Sequence, residues 1–375
     1  MKHVITLVGT SLITNYLKVN KEDTTVKNLH DRYSHKQASE YEINKDDITL
    51  MKKKLQKFAA DKSRASADKS WASAEIKSVY KIKEELKEDL SIHLLSSDTV
   101  NSVICAEVIA CSINNLLETH FTLKDVINGL QVKDSKAFSE MGMENLFRRI
   151  EQIAGGYYGN VIMNITGGYK AAIPILTIFS QVNHIPSYYI FEDAEALMKI
   201  PLLPISVDLE IFKEYSFIFE ETENSGGCVG NWHVLTGRIK PEHKEQILAC
   251  FEIDGDYADL SIFGKLLWHE YKRRQYTYYQ NAKVKDAIEN DPEYKNYLMK
   301  LFDKNLRDSK TQNKNGHLVL DLGRTAPRIF YRIKDESIYV YNYMRHDKDY
   351  ERFINTSTFQ DLAEYGTFEL KTLTR

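Results

Sequence analysis

The chain has 375 residues, enough for two or three compact units rather than one core. Charged residues at 27% and apolar residues at 43% are ordinary for a globular protein, and a net charge of −3 excludes a strongly basic nucleic-acid wrapper while leaving room for a local basic site. No segment is long enough to span a bilayer, the start lacks a signal peptide's basic flank and cleavage site, and four cysteines without C-x-x-C spacing argue for a reduced, cytoplasmic setting and against structural zinc.

From the N-terminus, Val4-Ile5-Thr6-Leu7-Val8 predicts a buried strand that runs into Gly9-Thr10-Ser11-Leu12-Ile13-Thr14-Asn15. Residues 50–90 are rich in Lys, Ala, Ser and Glu, with Ile76, Val79, Tyr80, Lys83, Leu86 and Leu90 on a helical stripe. Lys52-Lys53-Lys54 reads as a solvated helix face rather than a phosphate clamp. Ile92 to Leu95 predicts another strand, ending in Ser96-Ser97-Asp98-Thr99 before a helix from Val103 to Leu117. Val161-Ile162-Met163 predicts a third, followed by Asn164-Ile165-Thr166-Gly167-Gly168-Tyr169-Lys170 and a helix from Ala171 to Phe179.

A strand that ends in Thr-Gly-Gly and turns into a helix presents backbone N–H groups at a helix N-terminus, a geometry that suits phosphates. Glycine permits positive φ and close approach, and Lys170 adds a mobile cation. The spacing differs from both the P-loop and the dinucleotide fingerprint. Taken alone, the motif fits a tight turn without a ligand equally well. Three such turns favour a shared ligand site outside the carboxyl ends of a parallel sheet, although Ser, Thr and Asp also serve as plain helix caps.

The blocks Gly9-Thr10-Ser11-Leu12, Ser97-Asp98-Thr99, Gly129-Leu130-Gln131-Val132, Asn164 to Lys170, Tyr188-Tyr189-Ile190-Phe191-Glu192-Asp193 and Ile200-Pro201-Leu202-Leu203-Pro204 occur in that order. Together they resemble the CARF domain, the ligand-sensing Rossmann-like domain of CRISPR-associated proteins, over Val4 to Pro204. The resemblance implies an α/β parallel-sheet sensor and a homodimer. It also implies binding of a cyclic oligoadenylate, preferably cyclic tetra-adenylate, across the two-fold axis, which switches on a fused second domain. The ligand residues it implies are Gly9, Thr10, Ser11, Asn15, Ser97, Asp98, Thr99, Thr166, Gly167, Gly168 and Lys170. Some CARF domains also cleave their cyclic ligand, and Thr10, Ser11 and Thr166 could orient 2′-hydroxyls for that reaction.

Near residues 205–220 the α/β rhythm stops, and Ser225-Gly226-Gly227-Cys228-Val229-Gly230 reads as a loop. Helical patterns over Pro241 to Phe251 and Asp259 to Tyr271 predict a helical connector at 206–274, with a winged helix as the other reading. Arg238 to His243 fits the R-x4-H spacing of HEPN ribonucleases. That chemistry needs both residues on one helix, which Pro241 would disturb, whereas Pro241 suits a first helical turn.

In the last quarter, Tyr276-Thr277-Tyr278-Tyr279 predicts a strand and residues 282–290 and 292–308 two helices. Strands follow at His317 to Leu322, Arg328 to Ile333 and Ser337 to Tyr343. The short turn Lys334-Asp335-Glu336-Ser337 makes the last two an antiparallel hairpin. A helix begins near Asp349, completing a small α+β fold. This order resembles the RelE superfamily of toxin ribonucleases, on Arg328-Ile329-Phe330-Tyr331-Arg332-Ile333, Tyr339-Val340-Tyr341-Asn342-Tyr343 and the tail Arg345-His346-Asp347-Lys348-Asp349-Tyr350-Glu351. The resemblance implies a metal-independent endoribonuclease that cuts mRNA in the ribosomal decoding site.

Metal-free RNA cleavage uses the substrate's own 2′-hydroxyl. It needs a proton acceptor, cations for the phosphorane and an acid for the leaving oxygen. Arg324, Arg328, Arg345 and Lys348 supply charge on this reading, and His346 or Tyr350 moves protons. Alternation places Arg328, Phe330 and Arg332 on one strand face, a combination suited to RNA. Read from the residues alone, Arg332 pairs as well with Asp335 or Glu336, and His346 is a solvated loop residue. No Asp/Glu/His cluster has metal spacing. The expected organisation is a CARF sensor at 1–205, the connector at 206–274 and a RelE-like effector at 275–375, in a type III CRISPR ancillary effector. The competing reading is a non-enzymatic sensor whose C-terminal domain binds RNA or protein.

Overall fold

The computed structural model describes residues 1–62, 71–114, 117–131, 137–155, 158–191, 196–204, 210–225, 232–289, 291–323, 325–335 and 337–374. Val132, Glu192, Asp193, Gly226 to Gly230, Arg324 and Glu336 lie outside them. The chain divides into two compact units, Met1–Leu266 and Leu267–Arg375.

The N-terminal unit is built on β1 (Lys2–Val8), β2 (Leu90–Ser97), β3 (Glu118–His120), β4 (Val126–Ile127), β5 (Val161–Asn164), β6 (Ser187–Ile190) and β7 (Leu197–Ile200). Their order is β3-β2-β1-β5-β6-β7, with β4 also on β2. All pairs are parallel except β6–β7. The central strands β1, β2 and β5 read as mostly apolar runs because both faces are covered, as parallel sheets require. Val4, Val8, Ile92 and Leu94 pack under α1 (Ser11–Val19), α2 (Thr24–Tyr33), α3 (Lys45–Lys62), α4 (Ala74–Leu86) and α5 (Val100–Ile113). Ile5, Leu7, Leu95 and Met163 pack under the helices Met143–Ala154 and Ala172–Val182. This is a mixed α/β unit of the Rossmann-like kind, with helices on both faces of the sheet.

Some boundaries differ from expectation. Leu90 belongs to β2 rather than to the helical stripe, because α4 stops at Lys87, whose φ of 55° is left-handed. The lysine run is tied down: Lys52 pairs with Glu107 and Lys54 with Asp23, each at 2.7 Å. The stretch after residue 210 is not all helix. Short helices at Glu210–Glu214, Ser216–Asn224, Trp232–Thr236 and Lys244–Leu248 precede a hairpin of β8 (Phe251–Asp254) and β9 (Tyr257–Leu260), and then the helix Ile262–Arg273. Gly255, at φ 60°, is the first of the two turn residues, Gly255-Asp256, that join β8 to β9. Arg238 lies over the Phe217 ring at 3.9 Å, while His243 follows Pro241 in a separate 3₁₀ turn, so the two do not share a helix.

The C-terminal unit contains β10 (Gln275–Asn281), β11 (Thr311–Lys314), β12 (His317–Asp321), β13 (Arg328–Lys334), β14 (Ser337–Met344) and β15 (Phe368–Thr374), in the order β11-β12-β13-β14-β10-β15. Neighbours are antiparallel except β10–β14. One face packs under the helices Ala282–Glu289 and Tyr294–Phe302, through Val284, Ile288, Leu298 and Leu301. The other carries Val319, Phe330 and Tyr341 under Tyr350 of the helix Lys348–Thr356. The expected helix over 292–308 is two, because Asp303 leaves the helix and caps the next one through the Leu306 N–H at 2.9 Å.

Three imidazoles meet across β1, β2 and β3. His3 Nδ1 is 3.1 Å from His93 Nε2, and the His93 and His120 rings stack with centroids 4.8 Å apart. Among the described residues no group of three or more His, Cys, Asp or Glu side chains is placed to hold a metal ion. Burial, then the neighbouring imidazoles, push His93 down to about 4, and burial lowers His3. Asp125 opposes this at His93 and Glu118 at His3, while Arg149 and the chain's own amino terminus add to it. These histidines are held neutral in the fold, whereas the unfolded chain protonates them below about pH 6.5. Their contribution is therefore complete above about pH 6.5 and lost as pH falls toward 4. Thermal melts of the full chain should show the N-terminal unit losing stability as pH falls from about 6.5 toward 4, and His93→Gln should flatten that loss.

Candidate functional site

Parallel pairing brings the turns after β1, β2 and β5 to one edge of the sheet. Val8 is level with Ser96, and Thr6 with Asn164. The strand order reverses between β1 and β5, the place where such sheets form a ligand crevice. The turns after these two strands touch: a Cβ on Gly9 would stand 3.2 Å from the Gly168 nitrogen.

Most of the expected ligand residues also hold this edge together. Gly9 N–H donates to Glu75 Oε1 at 3.0 Å, and the Ser11 hydroxyl donates to Glu75 Oε2. Asn15 donates to the Ala72 carbonyl at 3.3 Å. Asp98 is buried, and its carboxylate accepts from the backbone N–H groups of Ala38 and Gly129 and from Gln131 Nε2. Thr99 caps α5, and its hydroxyl is 3.3 Å from that of Ser97. The Thr166 hydroxyl accepts from the Ile190 N–H at 3.0 Å, which ties the turn to β6. Thr10 is half-buried before α1, and Lys170 is exposed.

The two glycines are required by their protein neighbours. Gly168 has φ 90°, and a Cβ there would stand 2.4 Å from Leu7 Cβ; a Cβ on Gly167 would stand 2.4 Å from Glu75 Oε1. Glu75 is the residue that sequence reasoning missed at this edge. It lies 66 positions from Gly9, and its only local signal is a place in the first turn of α4, behind the Ser73 cap.

In the C-terminal unit, Arg328, His346 and Tyr350 converge. Tyr350 is 1% exposed. The His346 ring lies 4.8 Å from the Tyr350 ring, and the Arg328 guanidinium lies 6.0 Å from it. Lys314, unforeseen in the sequence, donates to the Tyr350 hydroxyl at 2.9 Å. Arg328 is 5% exposed; its Nη1 donates to the carbonyls of Gly323 at 2.7 Å and Ala326 at 3.0 Å and pairs with Asp321 at 3.2 Å.

Arg345, His346 and Lys348 are exposed around this cluster, His346 with Glu351 at 3.2 Å and Arg345 with Asp291 at 3.7 Å. The face that carries Arg328, Phe330 and Arg332 is covered by Tyr350 and Phe353, and Arg332 lies over the Phe359 ring at 4.0 Å. His317, fully buried, is 3.0 Å from the Tyr341 hydroxyl and 3.2 Å from that of Ser357, and burial lowers its pKa.

A family model described as CRISPR-associated protein (Cas_APE2256) matches residues 70–203. Over that stretch, which takes in α4, β2 to β7 and the turn after β5, the chain is similar to a CRISPR-associated family. No curated protein matches the chain. No helix among the described residues is long and apolar enough to cross a membrane.

The placement of Arg328 has a measurable consequence. Its removal strands Asp321 and two carbonyls, so Arg328→Ala should destabilise the C-terminal unit by about 3 kcal/mol. Chemical denaturation of the full chain, followed by tyrosine fluorescence and circular dichroism, checks this. An unchanged midpoint would show that the buried pair contributes nothing to the fold.

Proposed function

We propose that the chain is a type III CRISPR ancillary effector. In this reading the N-terminal unit is a CARF-like sensor that binds a cyclic oligoadenylate, with four adenylates the preferred ring, as a cytoplasmic homodimer. The carrying observation is the match to a CRISPR-associated family over residues 70–203, which contains the Thr166–Lys170 turn beside the reversal in strand order. The ligand's anionic groups meet Lys170 at the open edge, and the turns after β1 and β2 shape the rest of the crevice.

The C-terminal unit acts on this reading as a RelE-like endoribonuclease on ribosome-bound mRNA. Its support is the order of elements together with the cations gathered around Tyr350. The RNA 2′-hydroxyl loses its proton and attacks the adjoining phosphate, and the bond to the 5′-oxygen breaks, leaving a cyclic phosphate and a protonated 5′-hydroxyl. His346, exposed and beside Tyr350, transfers protons, and Lys314, Arg345 and Lys348 balance the phosphorane charge, with buried Arg328 contributing from beneath. One observation favours the non-enzymatic alternative, an RNA- or protein-binding output. Arg328 Nη1 and the Tyr350 hydroxyl are both engaged inside the fold, which leaves His346 as the one expected proton-transfer group that is exposed.

The test is RNA cleavage with and without ribosomes, with and without cyclic tetra-adenylate, and in EDTA. Ligand-dependent cuts with cyclic phosphate and 5′-hydroxyl ends are expected, insensitive to chelation. His346→Ala should slow cleavage on the order of a hundredfold. Lys170→Ala should weaken ligand binding by about 1–3 kcal/mol without touching cleavage chemistry. Ligand binding without any cut RNA would favour the binding alternative, and loss of activity in EDTA would sink the metal-free mechanism.

A further inference from the structure

The crevice between β1 and β5 is where a doubly wound sheet meets a ligand's phosphate, on backbone N–H groups at a helix start. Here one such donor, the Gly9 N–H, is already engaged. Glu75 reaches in from α4, fully buried, and both of its oxygens accept: Oε1 from the Gly9 N–H at 3.0 Å, Oε2 from the Ser11 hydroxyl. Ser11 Oγ also accepts from the Ala74 N–H at 3.1 Å, so the carboxylate stands at the first turns of both α1 and α4. Both helix dipoles favour negative charge there. On the other side lies Gly167, with no room for a side chain against Oε1. The protein's own anion fills the seat at the end of β1.

We propose that Glu75 is the charge-selecting residue of this crevice, an inference that rests on the cyclic-oligoadenylate reading above. It closes the β1–β5 gap to phosphate, so that the ligand presents neutral ribose or base groups there and carries its phosphates toward Lys170. Like charges at contact distance repel most strongly where water is excluded. A phosphate at Gly9 would have to displace a carboxylate held by two hydrogen bonds.

Calorimetry on the full chain, with pyrophosphate and separately with cyclic tetra-adenylate, tests the proposal. Glu75→Gln keeps an acceptor for the Gly9 N–H and removes the charge. The variant should bind pyrophosphate about tenfold or more tightly than the wild type, and cyclic tetra-adenylate more tightly with a steeper salt dependence. A merely structural role predicts weaker binding of both.

A folded Glu75→Gln protein whose pyrophosphate affinity equals or falls below the wild type overturns the proposal. If pyrophosphate separates the two proteins while cyclic tetra-adenylate binds neither, the ligand reading fails and the role of Glu75 stands. Should Glu75→Gln not fold, Glu75→Asp keeps the charge at both helix starts but draws it back from Gly167. With the charge kept, it should bind pyrophosphate no more tightly than the wild type, and binding about tenfold or more tighter would reject charge as the selecting feature.

Discussion

A carboxylate buried at the meeting of α1, α4, β1 and β5 constrains the turns at the carboxyl edge of the N-terminal unit's sheet. Glu75 is fully buried, and an isolated charge in that position would be prohibitive. It is tolerated because two helix starts, one backbone N–H and one hydroxyl converge on it. Each of those partners is thereby fixed. Ser11 must carry a hydroxyl, Gly167 must have no side chain, and the chain must leave β1 so that the Gly9 N–H points inward. The order β2-β1-β5 follows as a condition of the same cluster, since it sets the Gly9 turn beside the Gly167–Gly168 turn.

The C-terminal unit manages buried polarity by a different route. Its second core surrounds polar groups with rings: His317 sits among Phe330, Tyr341, Phe353 and Phe359, with both ring nitrogens near hydroxyls. Arg328 and Lys314 approach Tyr350, and Arg332 covers Phe359. Aromatic faces stabilise the cations over them, and Arg328 has Asp321 at 3.2 Å as well. Strand β13 can therefore carry Arg328 buried and Arg332 half-buried on this face. Arg345, His346 and Lys348 lie exposed beyond that face.

The elements most legible in the sequence are those whose cause is local. β1, β2 and β5 show as apolar runs because parallel strands are buried on both faces, and β13–β14 shows through its short turn. Two hairpins were equally local but hidden by a helical reading or by silence. Gly255-Asp256 and Asn315-Gly316 are hairpin signals, the latter with both residues at positive φ, and they join β8 to β9 and β11 to β12. β15 pairs with β10 across most of the unit's sequence, a non-local choice that short-range pattern does not specify. The candidate sites divide in the same way. Turns at strand ends are readable, whereas Glu75 and Lys314 acquire their roles only from residues 66 and 36 positions away.

That division changes how the Thr-Gly-Gly turn should be understood. Read along the chain, its glycines look like room made for a ligand. Read in space, Gly168 is needed for a φ of 90° against Leu7, and Gly167 for the Glu75 carboxylate. Thr166 completes the ladder to β6. Such a turn would be kept with or without a ligand, so its residues are poor markers of binding and good markers of the cluster beneath. Lys170 is exposed, whereas Thr166 to Tyr169 before it are half-buried. On the proposed reading, Lys170 and Glu75 act together to separate a ligand that carries several phosphates from a neutral one, the first attracting charge and the second refusing it.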